Sequence, residues 1–501
     1  CQGCREIQIG LTVPAEILIG IDLGTTVLKA GAIDRQSGRV LAVADQRLPV
    51  RAEADGTREQ KLPDLDRGFD TVLAHLRRQL GKRWSHVTGV GLAAQGGSFA
   101  ICNRQTGAAL TPLRLWSDQR PVRLAPKVAA QRPVSYWKKL AFSNGPGLGL
   151  ARMLWLREQN PRLFAKENIY VGAGEFGIFQ LTGQWRQDAG NAIQIGCYRV
   201  PKRALDAEPL GLVDVPLSFV APMRDGLLTL SAAAARRWKL PMGIPVAGPY
   251  FDHEAGYLSA VGVSERPLQC SLGTAWVGNF NLPANVQVKS SNQLVVPAPH
   301  NDGWLVVQPL MTGNVTWDWA LDTFVGGRHA TALRRAAKLF EKQLLPPPGM
   351  VALPWMHLMN PLKRDAIGAG GFFGGGVAAR REDFLRAAAL GMTCEMMRVF
   401  QKVRDQRQAD SVVLGGGASK GAAFKAHLAA LFAPLPVLAL QEEDTAGLRG
   451  CLHELSPHAS AGQARRVPVP AGAEKIRDGF AVYCELFERV LGREGITPLD
   501  F

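Results

Sequence analysis

No apolar run in this sequence reaches the roughly 18 residues that span a bilayer. Pro, Asp, Glu or Lys interrupts every candidate, so a helical membrane span is not expected. Cysteine is scarce, with eight in 501 residues, and only Cys1 and Cys4 lie close together. One C-x-x-C with no second pair and no nearby histidine makes a poor zinc site. The other cysteines read as small buried apolar residues, and this usage points to a reducing compartment. The start of the sequence lacks the basic, apolar, small-residue order of a secretory leader, so the cytoplasm is the expected location. A Walker A sequence and a dinucleotide fingerprint are both missing, which sets the common nucleotide motifs aside. Clustering of positive charge is missing too. Lys and Arg outnumber Asp and Glu by 58 to 43, a net +15, yet Arg51, Arg77, Arg120, Lys138, Arg236, Arg334 and Arg380 fall in separate segments. A solvated basic surface accounts for this more simply than a nucleic-acid partner, which is not expected.

What is present describes an ordinary globular chain: 47% hydrophobic and 20% charged, long enough for two or three domains. The clearest strands come first. Leu18 to Ile21 is apolar, Asp22-Leu23-Gly24-Thr25-Thr26 turns, Val27 to Ile33 is apolar again, and a second turn over 34–38 precedes Arg39 to Ala44. Helical spacing follows over 66–80, and Val87 to Leu92 resumes as strand. Helices are expected within 148–183, with a strand end at Val246 to Gly248 and a helix over Ala255 to Val261. The stretch 268–277 then repeats the opening: apolar strand, Leu272-Gly273-Thr274 turn, apolar strand. Aligned on Leu23-Gly24-Thr25, it suggests a duplicated unit and two lobes. Beyond the prolines at 346–348 and the glycines within 368–376, a helix is expected over Arg381 to Arg404 and a strand over Ser411 to Leu414. A turn Gly415-Gly416-Gly417-Ala418-Ser419 leads into a helix over Gly421 to Leu431. A strand at Leu435 to Leu440, a helix over Thr445 to Leu455, a linker at 460–474 and a terminal helix from Lys475 to Leu491 complete the pattern.

Three glycine turns therefore sit where strands end. Glycine lets backbone approach a ligand closely, and the exposed N–H groups of such turns suit phosphate oxygens. Hydroxyls at Thr25, Thr26, Ser271, Thr274 and Ser419 add donors.

In this order the turns resemble those of the FGGY carbohydrate kinases, of the actin-like, sugar kinase and heat-shock ATPase superfamily. Ile19-Gly20-Ile21-Asp22-Leu23-Gly24-Thr25-Thr26 with Lys29 is similar to the family's first phosphate loop. Gly91 to Gln95 with Pro112 to Arg120 resembles its sugar-side signature, and Met153 to Leu156 with Leu181-Thr182-Gly183 its middle helices. Gly248 to Gly256 resembles the catalytic segment, Ser271 to Thr274 the second phosphate loop, and Gly415 to Lys420 the adenosine loop. The resemblance implies an α/β fold of two ribonuclease-H-like lobes flanking a central cleft. It divides the chain into an extension (1–16), a sugar-side lobe (17–262), a nucleotide-side lobe (263–460), and a linker with terminal helix (461–501).

It also implies ATP and Mg2+ as cofactors and phosphorylation of a hydroxyl of a small sugar or polyol, a pentulose-type ketose foremost. A homodimer is compatible with this reading. Asp252 would be the general base and Asp22 the Mg2+ ligand. ATP would lie against Gly24, Thr25, Thr26, Gly273, Thr274, Gly415, Gly416, Gly417 and Ser419. The acceptor would meet Gln95, Gly96, Trp116, Asp118 and Asp252. Plainer readings stand beside these: an N-cap for Asp252, turn chemistry for Asp22, packing for Trp116, and an internal pair for Asp118 and Arg120. Gly96-Gly97 stands where family members carry side chains that contact sugar hydroxyls, and His253-Glu254 departs from the small or amide residues usual after the base. Both departures argue against assigning xylulose or glycerol by default. The alternative activity is a sugar-binding or chaperone-like ATPase of the same superfamily without sugar kinase turnover.

Overall fold

A computed structural model describes residues 16–491 apart from 274, 287, 289–292, 311 and 357–369. Cys1, Cys4 and Thr274, with most of the expected extension 1–16, lie outside the described residues.

The opening meander forms as the alternation of apolar runs and polar turns dictates: β1 (Ile17–Leu23), β2 (Val27–Asp34) and β3 (Val40–Arg47) pair antiparallel. Helix α1 (Leu62–Leu80) buries Leu65, Phe69, Val72, Leu73 and Leu76 at helical spacing against β2 and β3. The chain then enters β4 (Val87–Ala94), parallel to β1. Helices α2 (Leu148–Gln159), α3 (Ala173–Thr182) and α4 (Ala189–Ile195) follow, then β5 (Leu228–Thr229), β6 (Pro245–Phe251) and α5 (Asp252–Val261). The first sheet runs β5-β6-β4-β1-β2-β3, with β1, β4 and β6 parallel. β1 is apolar at nearly every position because both faces of this sheet are covered.

The second sheet repeats the plan. β7 (Pro267–Leu272), β8 (Trp276–Leu282), β9 (Leu294–Pro297) and β10 (Trp304–Pro309) pair antiparallel. After α6 (Asn314–Phe324) and α7 (Arg381–Asp405), β11 (Ser411–Gly415) joins β7 in parallel. Next come α8 (Ala422–Phe432) and β12 (Val437–Leu440), parallel to β11. The order is β9-β10-β8-β7-β11-β12-β13, where β13 is Ala464–Val467. In both sheets a run of antiparallel strands, three in the first and four in the second, is followed by two strands parallel to the first of the run, so the duplication read from two short turns is a duplication of topology.

Three sequence expectations change. The helix expected over 445–455 is α9 (Ala446–Gly450), five residues followed by turns. Its glycines lie where it crosses the first lobe: a Cβ on Gly450 would overlap the Ala255 carbonyl of α5, and one on Gly20 of β1 would overlap that of Leu448. The linker expected over 460–474 contains β13, which pairs antiparallel with β12 from Leu440↔Ala464 to Val437↔Val467. The terminal helix α10 (Ala473–Leu491) packs on α7 and α8, so 464–491 is part of the second lobe rather than an appendage. The helix expected from Ala255 begins at Asp252, where the Glu254 carboxylate accepts from the Phe251 backbone N–H at 3.2 Å and satisfies one of the open donors of its first turn. No helix among the described residues is long and apolar enough to cross a membrane.

Candidate active site

β1 and β6 are separated in the first sheet only by β4, and both run toward the same end. Asp22, one residue before the end of β1, and Asp252, the first residue after β6, are thereby brought to one place. Each keeps part of its surface open yet lies deep among protein atoms. Burial, then the charge of Asp252, pushes Asp22 up to about 7, with Lys29 opposing from the facing position on β2. Burial alone pushes Asp252 up to about 7, against a 2.9 Å hydrogen bond that its Oδ1 accepts from the His253 backbone N–H. Burial likewise holds the His253 imidazole down at about 4, so it is neutral near pH 7. The second lobe reaches Asp22: a Cβ on Gly447 of α9 would overlap its Oδ2.

Among the described residues no group of three or more His, Cys, Asp or Glu side chains could hold a metal by itself. A carboxylate pair in mutual repulsion fits a hard cation that takes few protein oxygens and completes its shell with phosphate and water, as Mg2+ does. Asp22 would be the ligand.

The first turn and the sugar-side segment meet. Thr25 Oγ1 donates to Gln95 Oε1 at 3.1 Å, Ser98 Oγ donates to the same oxygen at 2.9 Å, and the half-exposed Trp116 ring donates from Nε1 to Thr25 Oγ1 at 3.2 Å. Gln95 Nε2 is buried with no partner. Asp118 corrects an expectation. It is fully buried, and its oxygens accept from Arg120 Nε at 3.0 Å, Arg120 NH2 at 2.6 Å and the backbone N–H groups of Arg58 and Arg120. The Asp118–Arg120 pair is internal and braces the turn after Trp116, leaving the carboxylate no role toward an acceptor.

In the second lobe the two turns adjoin. Gly416 has φ +87°, and a Cβ there would come within 2.9 Å of the Leu272 backbone, so only glycine lets this loop lie against the end of β7. Ser419 Oγ donates to Gly416 O at 2.6 Å and shapes the loop. Asn314, at the start of α6, donates its backbone N–H to Gly273 O at 3.2 Å and pins the other turn.

Several buried polar residues beside the site carry no motif signal. Asn191 Oδ1 accepts from the Gly97 N–H at 3.2 Å, while its Nδ2 donates to Glu175 Oε1 at 2.6 Å. Asp188 caps α4, accepting from the Asn191 N–H at 2.7 Å. Burial raises Glu175, Asp188 and Glu254 above the ordinary carboxylate range; Asp188's charge adds to the other two, and Asp252's adds to Asp188. Arg152 of α2, almost wholly buried, donates to the carbonyls of Gly97 and Trp116. An arginine or acid inside an otherwise apolar helix is the one clue the sequence offers for these residues.

Two ribonuclease-H-like lobes that repeat one sheet topology define an actin-like ATPase fold. Residues 17–259 match the N-terminal domain of the FGGY family of carbohydrate kinases. The chain is 24% identical over 335 residues to glycerol kinase of Xanthobacter autotrophicus, a match covering 65% of this chain and 64% of that one. It is 22% identical over 413 residues to xylulose kinase of Bacillus subtilis, covering 80% of each. The crystal structure of xylulose kinase from Rhodospirillum rubrum superposes with a TM-score of 0.80 at 19% identity, over 95% of this chain and 100% of that one.

Proposed function

We propose that this protein transfers the γ-phosphoryl group of ATP to a hydroxyl of a small sugar or polyol. The observation that carries the reading is Asp252: a carboxylate at the start of a helix, beside Asp22 and with part of its surface open, with burial holding its pKa near the pH at which it must work. Asp252 accepts the acceptor hydroxyl's proton as that oxygen attacks the γ-phosphorus, and the bond to the bridging oxygen of ADP breaks. Phosphoryl transfer asks little more of a protein than positioning and charge stabilisation. Gly24, Thr25 and Thr26 on one side, and Gly273, Thr274 and the Gly415–Ser419 loop on the other, supply backbone donors to the phosphates, and the Thr26 and Thr274 hydroxyls add to them. Held by Asp22, Mg2+ would neutralise phosphate charge. Gln95, Gly96 and Trp116 face the acceptor.

A ketose such as a pentulose is the foremost acceptor, supported by the xylulose kinases among the relatives. The test is ATP consumption against a panel of ketoses, polyols and aldonates. One acceptor should stimulate turnover, and Asp252→Ala should remove roughly 10²–10⁴-fold of it. ATP turnover indifferent both to every acceptor and to this substitution would sink the reading and favour an ATPase without sugar kinase activity.

A further inference from the structure

Gly96 and Gly97 remove two side chains from the acceptor side, but they do not leave an empty notch. The amide of Gln194, near the end of α4, fills it: a Cβ on Gly96 would overlap Gln194 Nε2, and one on Gly97 would overlap Gln194 Oε1. The other wall is the ring of Phe251, 2.5 Å from that same Gly96 Cβ position and one residue before Asp252. Gln194 thus stands where the missing side chains would have projected, beside the residue that leads into the base.

Its placement is built from both directions. Behind it, Gly147 and Gly149 let the start of α2 ride directly on the backbone of 193–195. A Cβ on Gly147 would overlap the Ile193 carbonyl and come within 2.6 Å of that of Gln194, and one on Gly149 would overlap Ile195 Cα. In front, Asn191 of the same helix takes the Gly97 N–H, and Arg152 of α2 takes the Gly97 carbonyl. The helix is locked to the segment whose notch it fills. Yet Gln194 Nε2 is buried and has no partner, and neither has Gln95 Nε2, whose own Oε1 is committed to Thr25 and Ser98. A buried donor without a partner costs stability unless something else meets it. Two of them flank one short segment.

We infer that Gln194 determines acceptor specificity, its Nε2 donating to an oxygen of the acceptor in place of the side chains absent at Gly96 and Gly97, with Gln95 Nε2 as a second donor. This rests on the kinase reading above. The pair offers hydrogen-bond donors, so the acceptor must bring lone pairs to this wall, as a carbonyl or hydroxyl oxygen does.

The test uses the full protein with two variants, measured by steady-state kinetics and by calorimetric titration of each acceptor without ATP. Gln194→Met keeps the length and loses the amide; Gln194→Glu keeps the length and an oxygen but loses the N–H donor, and serves if the first does not fold. Both should raise KM or weaken binding for the acceptor about tenfold, as loss of one hydrogen bond to a substrate oxygen does, while KM for ATP stays within about twofold. Unchanged acceptor KM and affinity in a folded variant overturn the inference and leave the kinase reading standing. Equal shifts for acceptor and ATP also overturn it, because they mark a merely structural role. An acceptor that binds the wild type without turnover, and binds the variants more weakly, supports Gln194 while sinking the kinase reading. A wild type that neither binds nor turns over any acceptor removes both.

Discussion

Asp252 carries a cost that its chemistry explains. Its folded pKa of about 7 lies above the usual carboxylate value, so the folded protein binds this proton more tightly than the unfolded chain does. The stability that comes with the proton is complete below about pH 4 and is lost as pH rises through 7, where the ionised side chain becomes a burden. Asp252→Asn removes that titration. In metal-free buffer at pH 8 the variant should be more stable than the wild type by about 1–3 kcal/mol, and the difference should narrow by more than half at pH 5 and vanish only below about pH 4. Thermal midpoints at the two pH values decide it: an equal gap at both would show that buried charge is not the cause. Activity runs the other way, since the base works only when deprotonated, and wild-type kcat/KM should fall as pH drops below about 7. Asp22, Asp252 and Gln95 were legible in the sequence because each sits in a short local pattern. Gln194 was not, because its meaning depends on a vacancy at Gly96 and Gly97 in a distant segment. Asp118 was half legible: its pairing with Arg120 was foreseen as an alternative, but full burial, which decides between the readings, is a tertiary fact.

At the scale of elements, the crossing of α5 and α9 joins the lobes. α9 is short, and its closest approach is made by glycine, so a methyl group has nowhere to go: a Cβ on Gly450 would overlap the Ala255 carbonyl oxygen, a backbone atom that cannot rotate away. Gly450→Ala should destabilise the protein by at least about 3 kcal/mol, read as a fall in the urea midpoint. Gly376→Ala is the control, because nothing lies within 4 Å of the added atom, and it should change stability by less than about 0.5 kcal/mol. Similar losses in both would mean that the crossing does not set the effect, since the lower chain entropy of alanine acts in the stabilising direction. The same crossing explains why α9 was expected to be longer. Apolar residues continue at helical spacing past Gly450, but Cys451, Leu452 and Leu455 serve the interface with Leu18, Ile33 and Ala93 of the first lobe rather than another helical turn. β13 escaped notice for a different reason: as an edge strand it shows Arg465 and Arg466 to solvent, and no apolar alternation marks it.

Over the whole molecule the two lobes are less separate than two similar sheets suggest. One contiguous buried apolar cluster runs from Phe99, Leu150 and Tyr198 of the first lobe to Trp276 and Phe400 of the second. Polar clasps lie across the boundary as well. Arg203 donates to the carbonyls of Asp302 and Gly303 and stands 5.0 Å over the Trp304 ring, which Phe142 meets edge-on at 5.6 Å. Elsewhere along the boundary the almost wholly buried Arg449 of α9 donates to Gly38 O at 2.8 Å, in the turn between β2 and β3. Lobes joined only by a flexible segment would unfold independently; lobes that share a core cannot expose one face without the other. Differential scanning calorimetry should therefore show one transition, with calorimetric and van't Hoff enthalpies in agreement. Arg203→Ala should lower its midpoint while keeping a single peak, because the shared apolar cluster remains. Two resolved peaks in the wild type would mean that the cluster does not couple the lobes, and two peaks only in the variant would assign that coupling to the Arg203–Trp304 clasp.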